Sequence, residues 1–161
     1  MLDATPRPAE PDDRLTGPYN RQQLLTDLER ALTPDAPPRV LVVFELVGIK
    51  PFMSAMAEEE VDSLLSRLAL RLMHELGPEA ESYRPRREEF CALLPLAEAD
   101  AMLARAQNGL AEAAKPYPIS VFYGTALLPD EAGSPVEALE RADERLFALT
   151  RPSEQRRRRD R

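Results

Sequence analysis

The sequence predicts an α+β fold with a β-α-β-β-α-β core and flanking helices, and three observations lead there. An apolar, β-branched run from Arg39 to Leu46 lies between Pro38 and Gly48, which suits a strand buried on both faces at the centre of a sheet. Two stretches, Val61 to Leu76 and Leu96 to Ala114, repeat apolar residues at three-and-four spacing and read as helices packed on that sheet. Between them, Glu79 to Arg84 and Glu88 to Leu94 are short enough to be the two arms of a hairpin. With 161 residues and 43% apolar content, the chain is long enough for one domain with a real core.

Taken in order, residues 1–12 hold Pro6, Pro8 and Pro11 among acidic and small residues, a composition expected to form a flexible leader. Thr16 or Asn20 is placed to cap a helix with Leu24, Leu25, Leu28 and Leu32 on its apolar face, ending before Pro34. The strand from Arg39 follows, and near its end Glu45 is anomalous. A carboxylate there is costly unless it is paired, binds a cation or sits at an exposed strand end. A loop through Pro51 is expected next, then the helix whose apolar face is Val61, Leu64, Leu65, Leu68, Leu72, Met73 and Leu76. Glu58, Glu59 and Glu60 fall in its first turn, where the helix dipole favours negative charge. Gly77-Pro78 ends that helix and the hairpin follows. The next helix, through Ala114, presents Met102, Leu103, Ala106, Leu110 and Ala113, and Pro116 and Pro118 close it before a strand from Ile119 to Leu127. Ser134-Pro135-Val136-Glu137 is a capping box with proline at the first helical position. It opens a helix expected to bury Val136, Leu139, Ala142, Leu146 and Leu149. This order of elements is the ferredoxin-like arrangement.

Charge and rare residues narrow the function classes. The net charge of −7 disfavours non-specific nucleic-acid binding by the domain as a whole. The segment from Arg151 to Arg161 dissents: six arginines against Glu154 and Asp160 make it +4 and leave −11 on the rest. Residues 152–161 are expected to form a disordered, Arg-rich tail able to meet phosphates, an anionic lipid surface or the acidic body. Cys91, the only cysteine, sits in an apolar run and reads as a small buried hydrophobe. His74, the only histidine, has no second ligand at metal spacing. No run approaches the roughly 18 to 20 apolar residues of a membrane span, and the first residues lack a basic stretch followed by an apolar one, so a cytoplasmic location is expected.

Several stretches resemble one family in order and spacing. Asp13-Arg-Leu-Thr-Gly-Pro-Tyr-Asn-Arg21 is similar to the Asp-x-Leu-Thr-Gly-Leu-x-Asn-Arg entrance of GGDEF domains, the diguanylate cyclases, and is the most specific match. Phe44-Glu-Leu-Val-Gly-Ile-Lys50 resembles the family's Asp-x-Asp-x-Phe-Lys strand end. Arg84-Pro-Arg-Arg-Glu-Glu-Phe90 stands in place of Arg-x-Gly-Gly-(Asp/Glu)-Glu-Phe. Ile119 to Gly124 and Ala142-Asp-Glu-Arg-Leu-Phe147 look like the last core strand and the Ala-Asp-x-Ala-Leu-Tyr helix. The resemblance spans residues 13–151 and implies the nucleotide-cyclase palm type of the predicted fold. It also implies a reaction in which two GTP molecules, held on two subunits with divalent metals, are joined into cyclic di-GMP. By position it assigns the metal to Glu45 and Glu88, the acidic residue after it to Glu89, the guanine edge to Asp62 and the phosphates to Lys50. Magnesium or manganese is implied wherever nucleotide binds; no other cofactor is.

Departures cluster at the same site. The two signature glycines are Arg86 and Arg87, although a tight turn favours permissive backbone angles and the nucleotide must approach the main chain. The guanine-contacting asparagine corresponds to Met53, the Gly-His of the next loop to Ala57-Glu58, and the phosphate-side lysine of the last helix to Thr150. Glu45 is one methylene longer than the family's aspartate. Gly77 and Ala80 replace the Arg-x-x-Asp site of product inhibition, so cyclic di-GMP is not expected to bind by that route. Three readings follow: an inactive domain used for protein interaction or dimerisation, a nucleotide receptor in which Arg86 and Arg87 clamp phosphates, or a cyclase with altered substrate choice in which Glu45, Glu88 and Glu89 still hold metal.

Overall fold

The computed structural model describes residues 17–159, with side chains through Thr150. The leader expected at residues 1–12 and the possible cap Thr16 lie outside the described residues. Helix α1, Arg21–Ala31, begins at Asn20, whose extended backbone lets its Oδ1 accept from the Gln23 N–H at 2.9 Å. The chain continues through β1 (Arg39–Val47), α2 (Ile49–Ala55), α3 (Glu58–Leu76), β2 (Glu81–Arg86) and β3 (Glu89–Pro95). A single 3-10 turn at Leu96–Glu98 leads into α4 (Ala99–Ala114), then β4 (Ser120–Leu128) and α5 (Pro135–Arg159). The strands form one sheet in the order β2-β3-β1-β4, with every neighbouring pair antiparallel. This is the predicted ferredoxin-like core.

β1 lies at the centre and feeds two cores. Val40, Val42, Phe44 and Leu46 point into a layer filled by α3 and α4, where Leu64, Leu65, Leu68, Leu72 and Leu110 are fully enclosed. Leu41 points the other way, against Leu24 and Leu28 of α1 and Ala138 and Ala142 of α5. The outer edge of β2 is partly covered by Tyr19, which donates its N–H to the Ser82 carbonyl and accepts from the Arg84 N–H.

Two expectations are corrected. Residues 49–55, read as loop because of Pro51, form α2; Pro51 sits in the first helical turn, where a missing N–H costs no intrahelical bond. On α5, Val136 and Leu149 are exposed and the buried face is Ala138, Ala142, Leu146 and Thr150. The described helix runs from Pro135 to Arg159. Smaller differences are Met73, which is exposed, and Leu25 and Leu32, which are half-buried. Among the described residues no helix is long and apolar enough to cross a membrane.

Two contacts fix α5 against the sheet. Glu131, after β4, accepts from the Leu127 N–H and forms an ion pair with Arg145, which also donates to the Thr125 carbonyl at 2.9 Å. The Arg145 guanidinium, helped by that amide, holds the Glu131 carboxyl down at about 2. Beneath this clamp, a side chain at Gly124 would run into the Ala142 carbonyl and the Leu146 N–H of α5, so the helix lies directly on the strand backbone. Gly124→Val is expected to cost about 2–3 kcal/mol and to lower Tm by roughly 5–10 °C in a thermal melt. An unchanged Tm would show that α5 is free to shift outward.

Candidate functional site

The ends of β1 and β3 do not match, and this opens a cleft. The β1–β3 ladder ends at Phe44 opposite Phe90, while β1 runs on beside β4 to Val47 opposite Ser120. Beyond Phe44, one side of β1 therefore has no strand partner, and a cavity of about 600 Å³ lies there beneath α1 and α5. Glu45, Lys50, Arg86, Glu88 and Glu89 all line it. Glu45 is half-buried, on the strand face opposite Phe44 and Leu46, which answers its anomalous position in an apolar run. Gly48 makes the turn from β1 into α2 with φ +102°, and a Cβ there would come within 2.7 Å of the Pro118 carbonyl. Both facts demand glycine, and together they set Lys50 at the rim.

Arg21 at the start of α1 and Asp143 on α5 line the same cleft. In the sequence Arg21 and Asp143 stand out only as parts of motifs; the apolar stripes of α1 and α5 are the available signal, because they aim both helices at this face. Asp143 and Glu89 face each other closely enough that burial first, and then the Glu89 charge, raises the Asp143 carboxyl above its usual range. Burial, with the same two carboxylates, also pushes the Cys91 thiol up. Cys91 is thus an inert wall residue.

Asp62 and Arg87 are not part of this cleft. The Arg87 guanidinium lies 2.6 Å from Asp62 and 2.6 Å from Glu58, tying the hairpin tip to the first turns of α3. The Asp62 carboxylate foremost, with Glu58, raises the Arg87 value further. Arg87 was expected to face phosphate; its charge is instead taken up by two carboxylates, and Asp62 is occupied by the same contact. Arg86 sits 3.8 Å from Glu89, across the last rung of the hairpin.

The hairpin turn needs no glycine. Arg86 pairs with Glu89, leaving Arg87 and Glu88 as the turn, and no described non-glycine residue has a positive φ. β2 carries an extra residue between Tyr83 and Arg86, a bulge around Pro85, which has no N–H to offer the ladder. Arg84 Nε donates to the Arg87 carbonyl at 2.7 Å and closes the turn from inside.

The carboxylates share the cleft wall. Among the described residues no three His, Cys, Asp or Glu side chains form a metal cluster. Glu45 and Glu88 alone are a thin donor set for magnesium, which commonly relies on one or two carboxylates only when substrate phosphates complete its shell. Two further positions face away from ligand chemistry. Met53 packs against the α3–α4 core, and the Thr150 hydroxyl donates to the Leu146 and Phe147 carbonyls of its own helix at 3.3 and 3.4 Å.

The raised Asp143 value predicts a pH effect with a definite sign. Stability associated with the neutral carboxyl is fully present below the ordinary value near 3.8 and is lost as pH rises through the higher folded value. At neutral pH the ionised group is therefore a burden on the fold. Asp143→Asn is expected to raise Tm at pH 7, with the gain shrinking toward pH 3; a gain independent of pH would overturn this.

The fold compares closely with solved structures. The GGDEF domain of TpbB (YfiN) from Pseudomonas aeruginosa is 26% identical, with TM-score 0.70 over 87% of this chain and 88% of that one. The diguanylate cyclase SiaD from Pseudomonas aeruginosa, solved with its activator SiaC, is 23% identical with TM-score 0.75, covering 87% of this chain and 58% of that one. The FimX GGDEF domain from Pseudomonas aeruginosa is 22% identical with TM-score 0.72, covering 87% and 93%. No curated protein matches the sequence significantly. The family described as "Diguanylate cyclase, GGDEF domain" matches residues 12–156, and the chain belongs to that family.

Proposed function

We propose that this GGDEF domain is catalytically inactive and serves as a protein-interaction or regulatory module in cyclic-dinucleotide signalling. The observation that carries this reading is the contact of Arg87 with Asp62 and Glu58. Asp62 is the position that family resemblance assigns to the guanine edge, and a guanine there would have to displace a charged guanidinium from two carboxylates. Met53, against the core, supplies no amide for the base, and a base edge left without its partner costs about 1–3 kcal/mol. Thr150 spends its hydroxyl on its own helix, which removes the phosphate contact expected from a lysine.

Product binding by the usual inhibition route is equally unsupported. Gly77 and Ala80 line a separate cavity of about 550 Å³ whose walls carry no arginine or lysine. Interaction with another protein is compatible with the family, since SiaD was solved with a protein activator.

A nucleotide receptor is the second reading, favoured by one observation: Arg21, Lys50 and Arg86 line the same cleft as Glu45 and Glu88. In that reading Arg86 is the phosphate clamp and Arg87 is not. Titration calorimetry with GTP, with and without magnesium or manganese, separates the readings. No heat in either condition, with no thermal stabilisation, is expected. Metal-dependent binding would assign Glu45 and Glu88 as ligands, and cyclic dinucleotide then found by mass spectrometry would overturn the inactive reading; metal-independent binding lost in Arg86→Ala would assign the receptor.

A further inference from the structure

β4 is an outer strand of the sheet, so one row of its backbone groups has no strand to bond. The bonds made on that side show which residues these are. The Val121 carbonyl accepts from Gln107 Nε2 at 2.7 Å and the Thr125 carbonyl from Arg145 at 2.9 Å. Leu127 uses both of its backbone groups on Glu131, each at 2.8 Å. Because successive residues of a strand turn these groups to opposite edges, the outward row is Val121, Tyr123, Thr125 and Leu127. Gln107 reaches this row from α4, and Arg145 reaches it from α5 on the other face of the sheet.

The strand carries no protection of its own. Between Pro116 and Pro129 there is no charged residue, and β4 itself reads Ser-Val-Phe-Tyr-Gly-Thr-Ala-Leu-Leu. A neutral, β-prone run of this kind pairs with other chains when its edge is open. Outer strands are commonly blunted by a lysine or proline within the strand; here the blocking groups come from neighbouring elements.

We propose that Gln107 and the Arg145–Glu131 pair guard this edge against strand addition by a second copy of the chain. Symmetry identifies the occupant. Two identical strands that pair antiparallel about Tyr123 place each Val121 opposite the other copy's Thr125, and Tyr123 opposite itself. Val121 and Thr125 are the residues whose carbonyls Gln107 and Arg145 occupy. In such a pairing every outward residue must donate its N–H and accept at its carbonyl. With the guards in place, Tyr123 is the only one of Val121, Tyr123 and Thr125 with both groups open among the described residues. One rung is too short to hold two chains together. With the guards withdrawn, rungs form at all three positions and the two Tyr123 side chains meet across the axis.

The test is amide hydrogen exchange of the full chain, read with light scattering after size exclusion, over a range of protein concentrations. In the unaltered chain the Val121, Tyr123 and Thr125 amides are expected to exchange freely at every concentration. Gln107→Ala with Arg145→Ala should tighten self-association by on the order of tenfold, and the same amides should become protected as concentration rises. Adding Thr125→Pro removes an outward N–H that the sheet does not use, so it should restore the behaviour of the unaltered chain. Arg145 also holds α5 in place, so Gln107→Ala alone separates an opened edge from a loosened fold: it should show the same effect, smaller, at an unchanged Tm. Unchanged association and exchange in both variants would overturn the proposal. So would association that survives Thr125→Pro, or protection of these amides that rises with concentration in the unaltered chain.

Discussion

β1 is buried on both faces, and the register of this one strand sets everything around it. Val40, Val42, Phe44 and Leu46 must enter the layer under α3 and α4 while Leu41 enters the layer under α1. A slip of one residue would exchange the two sets and drive Glu45 into the larger core. The register that satisfies both cores is therefore the one that puts Glu45 on the cleft face. Gly48 then turns the chain where no side chain fits, and α2 carries Lys50 to the rim. Site and core are positioned by the same constraint.

The hairpin shows how two adjacent arginines come to do different things. Arg86 is the last residue of β2 and lies across from Glu89 on the cleft side. Arg87 begins the turn and reaches the other way, to the acidic start of α3. The acidic trio at Glu58 to Glu60 complements the helix dipole, as its place in the first turn implies, but Glu58 also anchors the hairpin. One local charge cluster thus serves a helix end and a tertiary contact.

Much of this was legible in the sequence because it rests on periodicity and punctuation. The strand between Pro38 and Gly48, the long helices and the cap at Asn20 all follow from local patterns that tertiary packing did not override. The site was legible only as positions: Glu45, Lys50, Arg86, Glu88 and Glu89 share a cleft, but Asp62 and Arg87 turn to each other. That pairing joins residues 25 apart through the direction of a turn, and sequence carries no signal for the direction. Turn chemistry misled in another way. Paired glycines suggest positive φ, yet a bulge at Pro85 accompanies a turn of Arg87 and Glu88 without it. On α5, the exposed Val136 and Leu149 mimic the buried stripe because they lie at the two ends of the segment that packs, where helical spacing persists but the partner surface does not.

The cleft itself comes from unequal strand lengths, since β3 stops pairing where β1 continues beside β4. Its existence is a property of the backbone rather than of the side chains on its walls. Charge, size and hydrogen-bonding character at Glu45, Arg86 or Asp143 can drift widely while the hollow stays, because none of these residues holds the strands apart. A cavity of this origin lets a lineage trade one ligand for another, or for none, without passing through a sequence that cannot fold.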